Sequence, residues 1–328
     1  MSGKVWLFAA VALAFTGNAV AAQSDAGGTY PTRPLRFVVP YPPGGTTDIV
    51  ARGIGVKLAE RFGHQVVTDN RGGASTIIGA EAMAKALPDG YTLLLATATT
   101  LSINPQVYSK LPYDAARDFA PISTATYVPF VIAAHPSVPA NSMKELIALA
   151  KAKPGEIRYS TPGAASTNHV AGALLETMAG IKLLHVPYKG SGPAATAALQ
   201  GEVQLVITGI GTLVSQWKAG KLKVIAFGAD KRHPNWPDIP STGEAGLKGY
   251  EAGTWFGVVT RAGTPRPIID RLSKEIVAAL AAPDLKDRLV ATGFDVLGSS
   301  PDDFARFIKN DQVRAAKVIK AAGIKAGE

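Results

Sequence analysis

The residues best placed to do chemistry form the run Tyr41-Pro42-Pro43-Gly44-Gly45-Thr46-Thr47-Asp48. It separates an apolar, strand-like stretch over residues 35–40 from a helix-like stretch that reaches Phe62. A strand that stops in Pro-Pro-Gly-Gly and restarts as a helix at Thr-Thr-Asp leaves first-turn N–H groups without backbone partners. Together with the positive end of the helix dipole, those donors form an anion site. The loop carries no Lys or Arg, so main chain and hydroxyls would do the holding. Such a site suits the capture of a small carboxylate and not catalysis. Thr47 reads as the helix N-cap. Asp48 falls in the first turn and has two readings. It faces the ligand, accepting from a hydroxyl or protonated group or ordering a bridging water, or it only stabilises the helix start.

Five further turns of similar composition follow apolar runs: residues 70–76 (Asn-Arg-Gly-Gly-Ala-Ser-Thr), 97–100 (Thr-Ala-Thr-Thr), 161–167 (Thr-Pro-Gly-Ala-Ala-Ser-Thr), 188–192 (Tyr-Lys-Gly-Ser-Gly) and 208–212 (Thr-Gly-Ile-Gly-Thr). Each alone is ordinary turn chemistry. At the same end of a sheet, they predict a cleft lined by N–H and O–H donors, because α/β ligands sit outside the carboxyl ends of strands. The candidates in these turns are Gly73, Ala74, Ser75, Thr97, Thr99, Gly163, Ala164, Ser166, Thr167, Tyr188, Lys189, Gly190 and Thr208. His169 lies just beyond one of them, either as a satisfied helix-start histidine or as a ligand contact. Arg71 is either structural or ligating, and Lys189 reads as a solvated loop lysine, with Tyr188 beside it as a candidate pocket wall. Tyr41 and Trp255 either cap an apolar ligand or belong to the core.

Reactive constellations are missing. No G-x-S-x-G elbow or Walker loop occurs, and Gly209-Ile210-Gly211 meets Val214 where a dinucleotide fingerprint needs a small residue. The histidines show no zinc-type pairing, and with no cysteine there is neither a disulfide nor a thiolate metal site. Neither metal nor cofactor is expected, and a hydrolase is the disfavoured enzyme reading. The formal charge of +9 is spread along helix faces without interleaved aromatics, which argues against nucleic acid.

Positioning these turns requires a repeating frame. Strand-like runs cover residues 35–40, 65–70, 91–97, 130–135, 157–161, 182–186, 203–208 and 222–228. Helical patterns over 48–61, 77–86, 142–151, 167–178, 193–199 and 212–218 alternate with them, which predicts an α/β fold with mostly parallel sheets. A last strand over 255–260 precedes helices over 267–281, 283–292 and 301–322, each opened by proline. Roughly 300 residues exceed one core, so two domains are expected. With no linker, extended strands near 128–133 and 250–259 would cross between them as a hinge. Domain 1 then comprises residues 30–130 plus 255–328, and domain 2 residues 131–254. Lys4, the apolar stretch 5–15 and Ala19-Val20-Ala21-Ala22 read as a signal peptide over residues 1–22. Without a cysteine no lipid anchor is possible, so a free periplasmic protein is expected.

Several segments then resemble one known family: VVPYPPGGTTDIVAR (38–52), PDGYTLLLAT (88–97), LPYDAARDFAPI (111–122), HVPYKGSGPA (185–194), KAGKLKVIA (218–226), EAGLKGYEAGTWFG (244–257) and AGTPRPIIDRL (262–272). Together with Tyr30-Pro31-Thr32-Arg33-Pro34 they resemble the substrate receptors of tripartite tricarboxylate transporters, the Bug proteins. The resemblance implies a monomeric, two-domain periplasmic binding protein of the type II, Venus-flytrap kind that closes on a small carboxylate. It also implies delivery to a membrane permease of one large and one small subunit, driven by an ion gradient. The alternative is a ligand-sensing module that presents the carboxylate to a signalling partner. By the same resemblance, one ligand carboxylate meets residues 43–48 and the loop around Gly73, Ala74 and Ser75. Domain 2 then contributes Gly163 to Thr167, His169, and Tyr188 to Ser191. Two departures stand out. The family often has Asn-Arg-Pro-Gly-Ala-Gly-Gly at 70–76, and Phe-Asp-Asn where this chain has Ile207-Thr208-Gly209. Losing that Asp implies a solute other than an amino-bearing dicarboxylate.

Overall fold

The computed structural model describes residues 30–324; the expected signal peptide lies outside the described residues. The first part of the chain forms β1 (Leu35–Val39), α1 (Thr46–Phe62), β2 (Val66–Asn70), α2 (Ile77–Ala84), β3 (Thr92–Thr97), α3 (Asn104–Val107) and β4 (Phe119–Ala134). Next come α4 (Met143–Ala152), β5 (Arg158–Thr161), α5 (Thr167–Ala179), β6 (Leu184–Pro187), α6 (Ser191–Leu199), β7 (Leu205–Gly209), α7 (Val214–Lys218) and β8 (Lys223–Phe227). The chain then returns through β9 (Gly253–Arg261), α8 (Arg266–Ala281), α9 (Pro283–Ala291), β10 (Asp295–Val296) and α10 (Pro301–Ala322).

The strands run in the order β2-β1-β3-β9-β4-β7-β5-β6, with β8 and β10 also paired to β4. β1 pairs parallel with β2 and β3, and β5 parallel with β6 and β7, as the alternating pattern predicts. The lobes meet within β4. As far as Pro129 it pairs with β9, opposite Gly253; from Phe130 it pairs with β7, opposite Gly209. The second crossing leads into β9, where the Phe130 amide reaches Ala252 O at 2.8 Å. The fold is thus a two-lobed α/β binding-protein fold with two crossover strands as its hinge. Residues 119–129 were not legible as strand. They hold Pro121, Pro129 and a Ser/Thr-rich stretch, which argue against a central strand. Register shifts after Pro121 and Thr124 let the pairing continue past them.

Each sheet is buried on both faces, which is why its strands read as unbroken apolar runs. In β3, Leu93 and Leu95 face α1 and α8 (Ile54, Leu58, Leu272), while Leu94 and Ala96 face α2 and α10 (Met83, Phe304). Burying one such leucine contributes about 1.5–3 kcal/mol. The second lobe packs α4 and α5 on one face through Leu146 and Leu175, and α6 on the other through Ala194 and Ala198. α10 does more than return to the first lobe. Its Ile319 joins Ile103, Ala165 and Val170, so the C-terminal helix also touches α5.

Candidate functional site

The strand β1 ends where prolines remove ladder donors, and the chain turns at Gly44 with φ 84°. Gly45 then takes the cap position of α1 with extended backbone (φ −86°, ψ 175°) and no capping side chain. The amides of Thr46, Thr47 and Asp48 are therefore first-turn donors with no intrahelical partner. This corrects the assignment of Thr47 as N-cap: the helix starts two residues earlier. Asp48 is buried and its carboxylate is spoken for. It accepts from Gly44 N at 3.0 Å, Arg52 Nε at 2.9 Å and Asn70 Nδ2 at 2.9 Å. Asn70 also donates to Tyr41 O at 3.0 Å. Burial pushes the Asp48 carboxyl up, but Arg52, the Gly44 amide and Asn70 outweigh it and hold it below the usual carboxylate range. These bonds make the Asp48 carboxylate a clasp that shapes the loop.

The second loop is strained. Gly73, Ala74, Ser75 and Thr76 all have positive φ, at 123°, 45°, 50° and 76°. Left-handed backbone costs a non-glycine residue roughly 1–2 kcal/mol. Side-chain bonds oppose that cost: Thr100 Oγ1 donates to Thr76 Oγ1 at 3.0 Å and Asn104 Nδ2 to Ser75 O at 2.8 Å. The Ser75 hydroxyl crosses the cleft and donates to Ala164 O. Tyr41 is bonded to the side chains of Thr99 and Thr97, and burial pushes its phenol up to about 12 against those bonds.

In the second lobe, Ser166 caps α5 by accepting from His169 N at 3.2 Å. The next amide, Thr167 N, donates across the cleft to Thr99 Oγ1 at 3.2 Å. His169 Nδ1 accepts from Ala165 N at 3.1 Å, and its ring stacks on His185 at 3.8 Å. Burial, then the neighbouring His169, push His185 down to about 3. Its Nε2 sits 2.6 Å from Thr161 Oγ1. Gly190 takes the cap position of α6, again with no capping side chain. The lobes approach so closely at Gly209 that a Cβ there would lie 3.3 Å from Thr46 Cγ2.

The candidates divide between two adjoining cavities. A deep one of about 20 Å³ is lined by Tyr41, Thr46, Thr47, Thr97, Thr167 and Thr208. An outer one of about 310 Å³ is lined by Tyr41, Gly73, Ala74, Ser75, Gly163, Ala164, Tyr188, Lys189 and Gly190. Tyr41 and Pro162 face both. Pro43, Gly44, Gly45, Asp48, Thr99, Ser166 and His169 line neither. Lys189 is exposed, Arg71 pairs with Asp69, and Trp255 points away, its indole donating to Asp311 Oδ2 at 2.7 Å. Sequence reasoning missed Phe130, Asn168, Thr254 and Phe256 in the deep cavity, whereas Ser191 was included through the family resemblance. Phe130, Thr254 and Phe256 fall within the expected crossings, but which of their faces meets the cleft depends on strand pairing.

No charged side chain lines the deep cavity; its polar groups are hydroxyls and the amide of Asn168. The N-termini of α1, α5 and α6 converge on it through Thr46, Thr167 and Ser191. Three positive helix ends facing one another across a closed cleft favour negative charge between them. The buried Thr208 hydroxyl has no hydrogen-bond partner there. Chemically, this arrangement binds and orients an anion; it presents no activated nucleophile.

Comparison with known proteins agrees. The model of the tripartite tricarboxylate transporter family receptor matches residues 50–324. A UPF0065 protein from the tcbD-tcbE intergenic region of Pseudomonas sp. strain P51 is 38% identical, covering 97% of this chain and 94% of that protein. Among solved structures, R. palustris Rpa4515 with adipate superposes with a TM-score of 0.88 at 36% identity, covering 90% of this chain and 99% of that one. MatC from Rhodopseudomonas palustris with bound malate gives 0.83 at 29% identity, covering 88% and 100%.

Proposed function

The chain belongs to the tripartite tricarboxylate transporter receptor family, a family of periplasmic solute-binding proteins and not of enzymes; from that premise we propose that it captures a small organic carboxylate between its lobes for a secondary transporter. The observation that carries the reading is the convergence of three helix N-termini on a deep cavity lined by no charged side chain. One carboxylate sits there on the amides of Thr46 and Thr47 and on lobe-two donors at Thr167 and Ser191. The rest of the solute passes Tyr41 and Pro162 into the outer cavity, under Tyr188 and Lys189. The lobe extents that carry this division are residues 30–130 plus 255–328, and 131–254. The leader-like residues 1–22 support export to the periplasm, where the loaded receptor meets a two-subunit permease.

The lining also bears on the kind of acid. A carboxylate partner for an ammonium group is lacking in the deep cavity, and Thr208 offers only a hydroxyl. Plain di- and tricarboxylates therefore fit better than amino acids. A thermal-shift and calorimetry panel of adipate, malate, citrate, benzoate, aspartate and glutamate tests this. We expect one plain carboxylate to stabilise the protein by roughly 2.7 kcal/mol at 100-fold excess over its dissociation constant. A response to none of the acids, or a preference for aspartate and glutamate, would overturn the reading.

A further inference from the structure

α10 is anchored on the first lobe and ends on the second. Its Phe304 and Ile308 lie in the first lobe's core beside Val38, Met83 and Trp255. At mid-helix, Gln312 Nε2 donates to Leu101 O at 2.8 Å, which fixes the helix to the same lobe. Ile319 in its last turn and Ile324 just past its cap are 5% and 8% exposed. They share an apolar cluster with Ile103 of the first lobe and Ala165 of the second, and Val170 of α5 packs against it. Neither solute cavity is lined by Ile319, Ile324 or Val170.

The cluster lies beside the cleft. Ala165 stands between Ala164, whose carbonyl accepts from the Ser75 hydroxyl, and Thr167, whose amide donates to Thr99 Oγ1 at 3.2 Å. Ala164 lines the outer cavity, and so does Tyr108, which packs against the same cluster. The apolar contact is therefore on the solute side of the hinge. The Ala165 amide is tied to His169 Nδ1 of α5 at 3.1 Å, so this loop travels with its helix. Parting the lobes breaks both cross-cleft bonds and withdraws Ala165 and Val170 from Ile103 and Ile319. Apolar surface that is covered only in the closed state favours that state.

We propose that the end of α10 is a latch that holds the closed receptor together through Ala165 and Val170 and so sets solute affinity, a role that rests on the reading of the cleft as a carboxylate trap. A receptor whose binding-competent state is less populated binds more weakly in proportion. Ile319 and Val170 are then positioning residues, which act on the acid through the lobe-two loop without touching it.

Ile319→Ala and Val170→Ala each withdraw apolar groups from the contact, and Ile319→Leu keeps its volume. For the tightest-binding acid of the panel, each alanine variant should weaken binding at least about fourfold, the worth of one buried methylene. The loss should lie in faster dissociation. The double variant should lose less than the product of the two, and Ile319→Leu should bind within about twofold of the parent. Val313→Ala, on the exposed face of the same helix, should change nothing. In small-angle X-ray scattering without any carboxylate, both alanine variants should show a larger radius of gyration than the parent. Unchanged scattering in both overturns the latch, whatever happens to Tm, because a contact that only supports the fold would lower Tm alone. Tighter binding in either alanine variant also overturns it. If no acid of the panel binds, the scattering arm decides by itself. If an acid binds and neither truncation moves its affinity, the latch fails and carboxylate capture stands.

Discussion

Single residues close the cleft. Ser75 accepts left-handed backbone and uses its hydroxyl to reach Ala164 across the lobes. Ser75→Ala should weaken solute binding about two- to tenfold, the worth of one hydrogen bond. Ser75→Gly should lose the same bond but relieve the strain, and so be more stable than the alanine variant by about 0.5–1 kcal/mol. Urea unfolding of the two variants beside calorimetry checks both statements. His185 sets a pH dependence. Its folded value, about 3, lies below the ordinary 6.5, so the unfolded chain binds the extra proton. Its contribution is complete above 6.5 and drains as pH falls from there toward 3. Tm should therefore drop between pH 7 and 5, and drop less in His185→Gln. At this scale the Gly/Ser/Thr turns were legible as a donor set. The separate duties of those residues were not. Asp48 and Thr46 are neighbours in sequence, yet one fastens the loop and the other faces the cavity, and only the packing of Asn70 and Arg52 decides which.

Among the elements, α1 carries the account. Thr46 is its first residue, and Gly45 before it is extended, which is the backbone that proline demands of its predecessor. Proline is well tolerated at a first helical position because the amide it removes has no helix partner. Thr46→Pro should therefore leave Tm nearly unchanged while weakening carboxylate binding by at least about tenfold, the scale of a hydrogen bond to a charged group. Loss of folding with loss of binding would show that α1 has a structural role only. The helices and parallel strands were readable because both their period and their apolar faces survive in the sequence. β4 was half missed: its first half follows neither pattern, and its pairing with β9 relies on bulges that no local signal announces.

For the whole molecule, the structure is the closed state of a hinged pair. Thr167 to Thr99 and Ser75 to Ala164 join the lobes directly, and α10 packs against α5. A cavity of about 20 Å³ has room for about one water and not for a dicarboxylate, so solute entry requires the lobes to part. The hinge was anticipated from strands expected near both crossings. The reach of α10 to the second lobe was not, since an apolar helix face tells which residues share it but not which lobe it meets. The most direct test is a crystal structure with the tightest-binding acid of the panel. We expect a carboxylate within about 3 Å of the Thr46 and Thr47 amides, with lobe-two donors at Thr167 or Ser191 completing its shell. A carboxylate gripped instead by an arginine or lysine side chain, away from the start of α1, would contradict the account.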